Sequence, residues 1–324
     1  MRPARIITAL LVVLATFAIG VAVGSAPLEL AAVWRGLLES DAPASAIVRE
    51  LRVPRVLLAF LVGGGLGLTG AALQALVRNP LADPYLLGLS GGAGLGAVLA
   101  IAAQTGSPWA VPISAFAGAL GAVALVYRLS VVGGKRLDPR VLLLAGVVVG
   151  AFAAAVMSAI IVLSDAPQLR NAFLWLLGGF SAASWDALQL FAVYAVAPLA
   201  VLLLSARSLD LLALGEDTAL HLGADVDRVR RRVYLAASLL TAASVATCGI
   251  IGFVGLVVPH AVRRLWSPLH GVLMPGAFVA GGTFLVLADA VARSVLRPIE
   301  LPVGVVTALV GVPLFALLLR RTLA

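Results

Sequence analysis

Long uncharged runs, separated by short clusters of charged residues, dominate the chain. A helix needs about 20 mostly apolar residues to cross a bilayer. The first such run is Ile6–Gly24, and a second lies between Arg55 and Arg78. The third, Pro84–Tyr127, is too long for one crossing and is interrupted by the proline-containing stretch Ser107–Pro112. Because prolines at such a position favour a turn, this run predicts two helices, and the first part of the chain predicts four crossings.

The rest of the chain predicts six further crossings. They lie at Val141–Leu163, Ala187–Ser205, the two halves of Val233–Val262 on either side of a bend over Gly249–Gly252, Gly271–Ala288 and Leu301–Leu319. The apolar segment Asn171–Trp185 is too short to cross, and its two tryptophans suit the headgroup boundary, so it predicts a re-entrant or interfacial helix. The pattern therefore predicts an all-α polytopic membrane protein with ten transmembrane helices in one domain, residues 1–324.

Composition and charge agree with a membrane protein and argue against a nucleic-acid-binding protein. Hydrophobic residues make up 62% of the 324 residues and charged residues 12%, against roughly 45–50% and about 25% in soluble domains. The net charge of +8 comes from short basic clusters between apolar runs rather than from one soluble basic face. Such clusters report topology, because Lys and Arg are retained on the cytoplasmic side.

Ten crossings from a cytoplasmic start place both termini in the cytoplasm. The membrane that we expect is a bacterial inner membrane. Of the 23 Lys and Arg residues, seven then fall outside, which leaves sixteen on the cytoplasmic side. The seven are Arg35, Arg49, Arg52, Arg55, Arg170, Arg293 and Arg297. The bias supports the orientation. The seven arginines on the outer side run against this bias and require a separate explanation.

The sequence lacks the residues that several kinds of catalytic or binding site require. No Gly-x-x-x-x-Gly-Lys-Ser/Thr phosphate loop occurs, so any ATP would be hydrolysed by another polypeptide and we expect no cofactor in this chain. The single cysteine, Cys248, excludes an internal disulfide and a thiolate-rich metal site. Gly88–Gly92 fits a serine-hydrolase pattern, but the three histidines fall in predicted cytoplasmic or boundary segments. We therefore expect no catalytic residue and no metal site.

A series of motifs, in order from Arg52 nearly to the C terminus, resembles the FecCD-type permeases. These are the membrane subunits of ABC importers for vitamin B12, haem and iron-siderophore complexes. The matching stretches are Arg52–Arg55, Gly70–Gln74, Arg78–Pro84, Leu87-Gly88, Gly252–Leu256, Pro259-His260 with Arg263, Ala288-Asp289 with Arg293, and Glu300–Gly304. The resemblance implies ten helices per subunit and a homodimer with a central pathway, which agrees with the count from hydropathy.

The resemblance also implies partners and the residues that contact them. The expected partners are two ATPase subunits, a periplasmic substrate-binding protein and membrane lipid. Arg52, Arg55 and Arg293 match the family's docking arginines, which pair with acidic residues of the binding protein; the alternative is that they bind lipid headgroups. Asp289 is spaced to position Arg293. The polar stretch of about 207–232 resembles the cytoplasmic segment that contacts the ATPase, with Gly215, Ala219, Leu222 and Gly223 as candidates, although an ordinary solvated loop is the alternative.

These observations predict a permease subunit of an ATP-driven importer that receives a metal-chelate or corrinoid cargo from a binding protein. The alternative is a secondary transporter driven by an ion gradient. That mechanism usually leaves ionisable residues inside the spans, and the predicted spans are almost free of acids. The sequence does not choose among haem, cobalamin and ferric siderophores as cargo.

Overall fold

A computed structural model describes the backbone of residues 3–132 and 136–323, and the side chains of residues 7–131 and 137–317. Fourteen α-helices and one two-stranded hairpin follow one another in this part of the chain. The helices are α1 Pro3–Ala22, α2 Leu30–Leu38, α3 Val53–Leu76, α4 Leu89–Ala102, α5 Ala110–Ser130, α6 Pro139–Val162, α7 Ala166–Leu176, α8 Trp185–Leu204, α9 Ala206–Ala213, α10 Glu216–His221, α11 Val226–Cys248, α12 Val254–Leu265, α13 His270–Ser294 and α14 Val303–Leu323. Strands β1 Val131–Val132 and β2 Arg136–Leu137 are antiparallel.

Each of the ten predicted crossings coincides with one of these helices. Five helical stretches are long and apolar enough to span a membrane, namely Ile47–Leu76, Ala110–Ser130, Pro139–Val162, Trp185–Leu204 and His270–Ser294. The stretches Ile7–Ala22, Leu89–Ala102 and Val303–Leu317 are apolar but shorter. The chain is thus a helical protein with several membrane-spanning candidates, and the full count of ten crossings stays a prediction.

Three local predictions need correction. The helix predicted at Asn171–Trp185 is α7, which begins earlier because Asp165 and Gln168 form a reciprocal capping box at its start. It ends near Gly178, whose positive φ stops a helix. Helix α13 continues past Ala288 to Ser294, so Arg293 lies inside the helix rather than after it. Helix α2 has no counterpart among the predicted elements, since it is short and carries Arg35.

Helix α3 lies at the centre of the bundle and packs against α8, α9, α11, α12 and α13. Its glycines make this possible. A Cβ on Gly63 or Gly67 would collide with backbone of α13, and one on Gly70 would collide with the Gly255 carbonyl of α12. In lipid, helices associate mainly through such close backbone approach between small residues. The glycine-rich run therefore forms the central packing surface.

The bend predicted at Gly249–Gly252 is confirmed. Helix α11 ends at Cys248, and the chain stays non-helical until α12 begins at Val254. Gly249 and Phe253 both have positive φ values, of 71° and 70°. Phe253 is a non-glycine residue in this region and packs against Gly311 of α14. The bend therefore joins α11 to α12 and packs against the last helix, α14.

Candidate functional sites

The first candidate site is the arginine cluster, which we define as Arg52, Arg55, Asp289, Arg293 and Glu300. Arg52 ends a π-helical turn, Ile47–Arg52, that continues into α3. Asp289 and Arg293 lie on the last turns of α13, and Glu300 lies in the segment that joins α13 to α14. Residues more than 230 positions apart, Arg55 and Asp289, are therefore brought together at one end of the bundle.

Arg52 and Arg293 hold the C-terminal end of α1. Arg52 is 4% exposed and donates to the carbonyl oxygens of Val21, Ala22 and Ala26 over 2.7–2.9 Å. Arg293 is 2% exposed and donates to the carbonyl oxygens of Gly20 and Val23. The last carbonyls of a helix lack partners within the helix, and the helix dipole places partial negative charge there. Two guanidinium groups satisfy both requirements, so these arginines have an internal structural role.

Arg55 joins the two acids of the cluster. Its guanidinium lies 2.8 Å from Asp289 Oδ1 and 2.8 Å from Glu300 Oε2. Asp289 also accepts from Arg293 Nε over 2.9 Å, which confirms the pairing expected from their i, i+4 spacing. Asp289 is 1% exposed and Glu300 is 28% exposed. Arg55, Arg293, Asp289 and Glu300 thus form one continuous network, in which Glu300 is the acid that is accessible to solvent, and Arg52 lies beside it on the carbonyl groups at the end of α1.

A cavity of about 400 Å³, which we call the arginine cavity, opens beside this network. Arg52, Arg55, Arg293 and Glu300 all line it, together with residues 24–26 and 180–183 in part. Burial raises the pKa of Glu300, but the charge of Arg55 and hydrogen bonds from Arg55 and Ser25 outweigh burial, and the net pKa lies below its usual value. Glu300 is therefore ionised at neutral pH. With three cations and one anion in its walls, the cavity suits a carboxylate.

A second cavity, of about 590 Å³, shares a wall with the first, and we call it the Cys248 cavity. The shared lining residues are Arg55, Phe180, Ser181 and Glu300. The other walls come from the ends of α5, α7 and α11 and from the start of α14, among them Pro112, Trp175, Thr247, Cys248, Leu301, Pro302 and Val303. The Arg55–Glu300 ion pair therefore stands at the boundary between the two cavities.

The second candidate site is the coupling segment, residues 207–232, which contains α9, α10 and the start of α11. Helix α9 is fixed to the bundle, because Leu209 and Leu212 are buried and Asp210 binds His270 at the start of α13. Helix α10 is flanked by Gly215 and Gly223, which have φ values of 119° and 82°. Only glycine adopts such conformations readily. The two glycines therefore set off a short helix between two turns.

The candidate residues in and next to α10 differ in exposure. The side chain of Ala219 is fully buried, so it supports the shape of this segment from inside, and its part in coupling to the ATPase stays a prediction. Leu222 is 58% exposed, and Leu220 and Leu214 are exposed to a similar extent. Glu216 pairs with Arg230 of α11 over 2.8 Å. Arg230 is 6% exposed, whereas its neighbours Arg231 and Arg232 are exposed. The Glu216–Arg230 ion pair holds α10 against α11, α10 also packs against α9, and the leucines at 214, 220 and 222 are exposed.

Sequence patterns located both sites but not the contacts inside them. Glu300 was assigned only to a motif, and neither Glu216 nor Arg230 was a candidate residue. The break in the basic run at Val229 and Val233, both buried, is the signal that would have separated Arg230 from its exposed neighbours. The binding partners of Arg55 could not be found from spacing, because they lie in distant parts of the chain.

Comparison with known proteins gives the family. The FecCD transport family model matches residues 10–321. The hemin transport system permease protein HmuU of Yersinia pestis is 38% identical over 99% of this chain and 96% of its own length. The cobalamin import system permease protein BtuC of Halobacterium salinarum is 44% identical over 86% of this chain and 74% of its own length.

A solved structure agrees with these sequence matches. It is described as an inward-facing conformation of a metal-chelate type ABC transporter, and it superimposes with a TM-score of 0.88 at 32% identity over 98% of this chain and 99% of that one. The match covers both ends of the bundle, including the arginine cluster and the coupling segment. The chain therefore belongs to the FecCD transport family and is an ABC transporter permease.

Proposed function

We propose that this chain is the membrane subunit of an ATP-driven importer that moves a metal-chelate cargo, namely haem, a ferric siderophore or cobalamin, into a bacterial cytoplasm. It works as a homodimer with two ATPase subunits and receives its cargo from a periplasmic binding protein. The observation that carries the proposal is the arginine cavity, which has three guanidinium groups and the Glu300 carboxylate in its walls. Relatives that carry hemin and cobalamin in their names support the cargo class.

Docking of the binding protein uses the arginine cavity. Arg55 is the arginine of the cluster with the greatest exposure, since 13% of its side chain is accessible against 2% for Arg293. An acidic side chain of the binding protein that enters the cavity would form charge-assisted hydrogen bonds, which give both attraction and register. Arg52 and Arg293 contribute their positive charge while they hold α1 in place.

Coupling to the ATPase uses α10. The leucines at 214, 220 and 222, which lie in α10 or next to its ends, expose apolar side chains that a partner could cover. A helix this short is not stable in isolation, so its position depends on the elements that it packs against. Movement of the ATPase during ATP binding and hydrolysis is then transmitted through α10 to α11 and changes the relative stability of the outward-open and inward-open dimers.

The buried charged residues give little support to the alternative of a secondary transporter driven by an ion gradient. Among the acids that the structure describes, Asp289 is the one that is almost completely inaccessible, and it is paired with Arg55 and Arg293. A coupling proton or sodium ion needs an acid that is free to bind and release it within the membrane. An acid with two arginine partners does not meet that requirement.

The docking proposal is tested by measuring the affinity of the permease for its binding protein by surface plasmon resonance. Substitution of Arg55 by glutamine should weaken binding by about tenfold or more, since a lost charge-assisted hydrogen bond costs about 1–3 kcal/mol. Arg35→Gln is the matched control, because Arg35 is exposed on α2 and lies outside the cluster. Higher salt should weaken the wild-type complex as well.

Equal affinities for the two variants would contradict docking at the arginine cavity. Because Arg55 also pairs with Asp289, the melting temperature of each variant is measured first. Only preparations that unfold cooperatively enter the comparison.

A further inference from the structure

Glu300 occupies a position in the arginine cavity that a carboxylate from outside would also favour. Its carboxylate accepts from Arg55 Nη1 over 2.8 Å and is 28% exposed, so solvent reaches it. Arg55 keeps a second partner, Asp289, which is 1% exposed and is bound to Arg293 as well. Of the two carboxylates on Arg55, Glu300 is thus the one that an incoming anion can replace without leaving the guanidinium unpaired.

The segment that carries Glu300 also forms a wall of the Cys248 cavity. Leu301, Pro302 and Val303 line that cavity directly after Glu300. Residues 295–299 before it are exposed, and Leu301 is attached by one backbone hydrogen bond to Ala292. Leu301 also packs against the core, and Glu300 accepts from Arg55 and from Ser25. The Arg55–Glu300 ion pair is the contact of Glu300 that holds this segment against α3.

We propose that Glu300 is a latch: in the undocked permease it takes the place of a partner's carboxylate on Arg55, and an external carboxylate displaces it. Displacement frees the segment 295–302 and opens the Cys248 cavity toward the arginine cavity. Docking of the binding protein and opening of the Cys248 cavity become coupled, because the Arg55 guanidinium takes part in both. This inference rests on the proposed function for its biological partner, but the latch itself belongs to this chain and can be tested without any partner.

Cys248 provides the reporter for that test. It is the single cysteine of the chain, it is 5% exposed, and it lines the cavity behind the latch. The purified permease is treated with a small methanethiosulfonate reagent, and the rate of modification of Cys248 is followed by mass spectrometry. Glu300→Gln should react at least about fivefold faster than wild type, because loss of the charge shifts the population toward the released segment. Glu39→Gln, at an exposed glutamate directly after α2, is the matched control and should react at the wild-type rate.

The second arm uses free acetate as the external carboxylate. Acetate should accelerate modification of Cys248 in the wild type when compared with chloride at equal ionic strength, which keeps general screening constant. Acetate should have no further effect on Glu300→Gln, whose latch is already released. This arm decides the question on the wild type alone if the variant does not fold.

Two results would overturn the inference. One is a wild-type rate of Cys248 modification in folded Glu300→Gln. The other is a wild-type protein whose rate is the same in acetate and in chloride. Neither result bears on the proposed transport function, because no binding protein, ATPase or cargo is present in the experiment.

Discussion

The arginine cluster and the coupling segment differ in how they are held. In the cluster, each arginine has at least two partners, and Asp289 is shared by two guanidinium groups at about 1% exposure. In the coupling segment, α10 lies between two glycines with positive φ and is attached through Ala219 and one ion pair, Glu216–Arg230. The first region is fixed to several helices, whereas α10 packs mainly against its two neighbours in the chain, α9 and α11.

This difference fits the two tasks that we propose. A docking surface gains affinity when its charges are already in position, because less ordering is needed when the partner binds. A surface that follows an ATPase must move relative to the bundle while it stays connected to one helix. Helix α11 is that helix, since it begins beside α10 and ends at Cys248 in the wall of the second cavity.

The largest expected effect comes from breaking the buried network at Asp289. Asp289→Asn leaves Arg55 and Arg293 without the charge they share, and removal of one partner from a buried ion pair costs about 3–5 kcal/mol of the free energy of unfolding. The apparent melting temperature in detergent should fall by roughly 5–10 °C. Differential scanning fluorimetry of the purified permease measures this change.

Asp41→Asn, at an exposed acid with no such network, is the control and should change the free energy of unfolding by less than about 0.5 kcal/mol. If both variants melt at the same temperature, the cluster is not the rigid region that the comparison requires.

A smaller effect is expected at the coupling segment, and it should appear in assembly rather than in stability. Leu220→Ser and Leu222→Ser remove apolar side chains that are 50% and 58% exposed. Each should weaken association with the ATPase by about tenfold, which corresponds to about 1.4 kcal/mol, while the melting temperature of the permease stays unchanged. Co-purification and a titration of the two components measure the affinity.

Leu38→Ser, at an exposed leucine of α2 that is far from the coupling segment in the chain, is the matched control. An equal loss of ATPase binding in all three variants would show that exposed leucines act through general solubility, and it would remove α10 from the interface.

Much of the fold could be predicted from local patterns. The uncharged runs gave the positions of the long helices, and the glycines at 249 and 252 gave the break between α11 and α12. Prediction failed where the cause is not local. Helix α13 extends to Ser294 with help from the Asp289–Arg293 pair, and α7 starts early because of a capping box that the apolar pattern does not contain. Helix α2 has nine residues and is interrupted by Arg35, so it is too short to show in a search for membrane spans.

The same limit applies to the sites. Positive charges on the predicted outer side drew attention to Arg52, Arg55 and Arg293, but their burial depends on the carbonyl groups of α1 and on acids near the end of α13. Likewise, Ala219 belongs to a motif typical of the coupling segment, and only the packing of α10 shows that its side chain faces inward. Residue type marked these positions as candidates, and the three-dimensional contacts show how each side chain is held; their roles in docking and coupling stay predictions.

The most direct test of the central claim is an uptake measurement in vesicles that contain the permease together with its ATPase. Haemin, cyanocobalamin and a ferric siderophore are supplied in turn with the binding protein outside, and ATP or a non-hydrolysable analogue is enclosed. We expect one of these cargoes to accumulate only when both hydrolysable ATP and the binding protein are present. Accumulation should stop when an excess of the binding protein without cargo is added. Accumulation that follows a proton or sodium gradient, in vesicles without the ATPase, would contradict the proposed function.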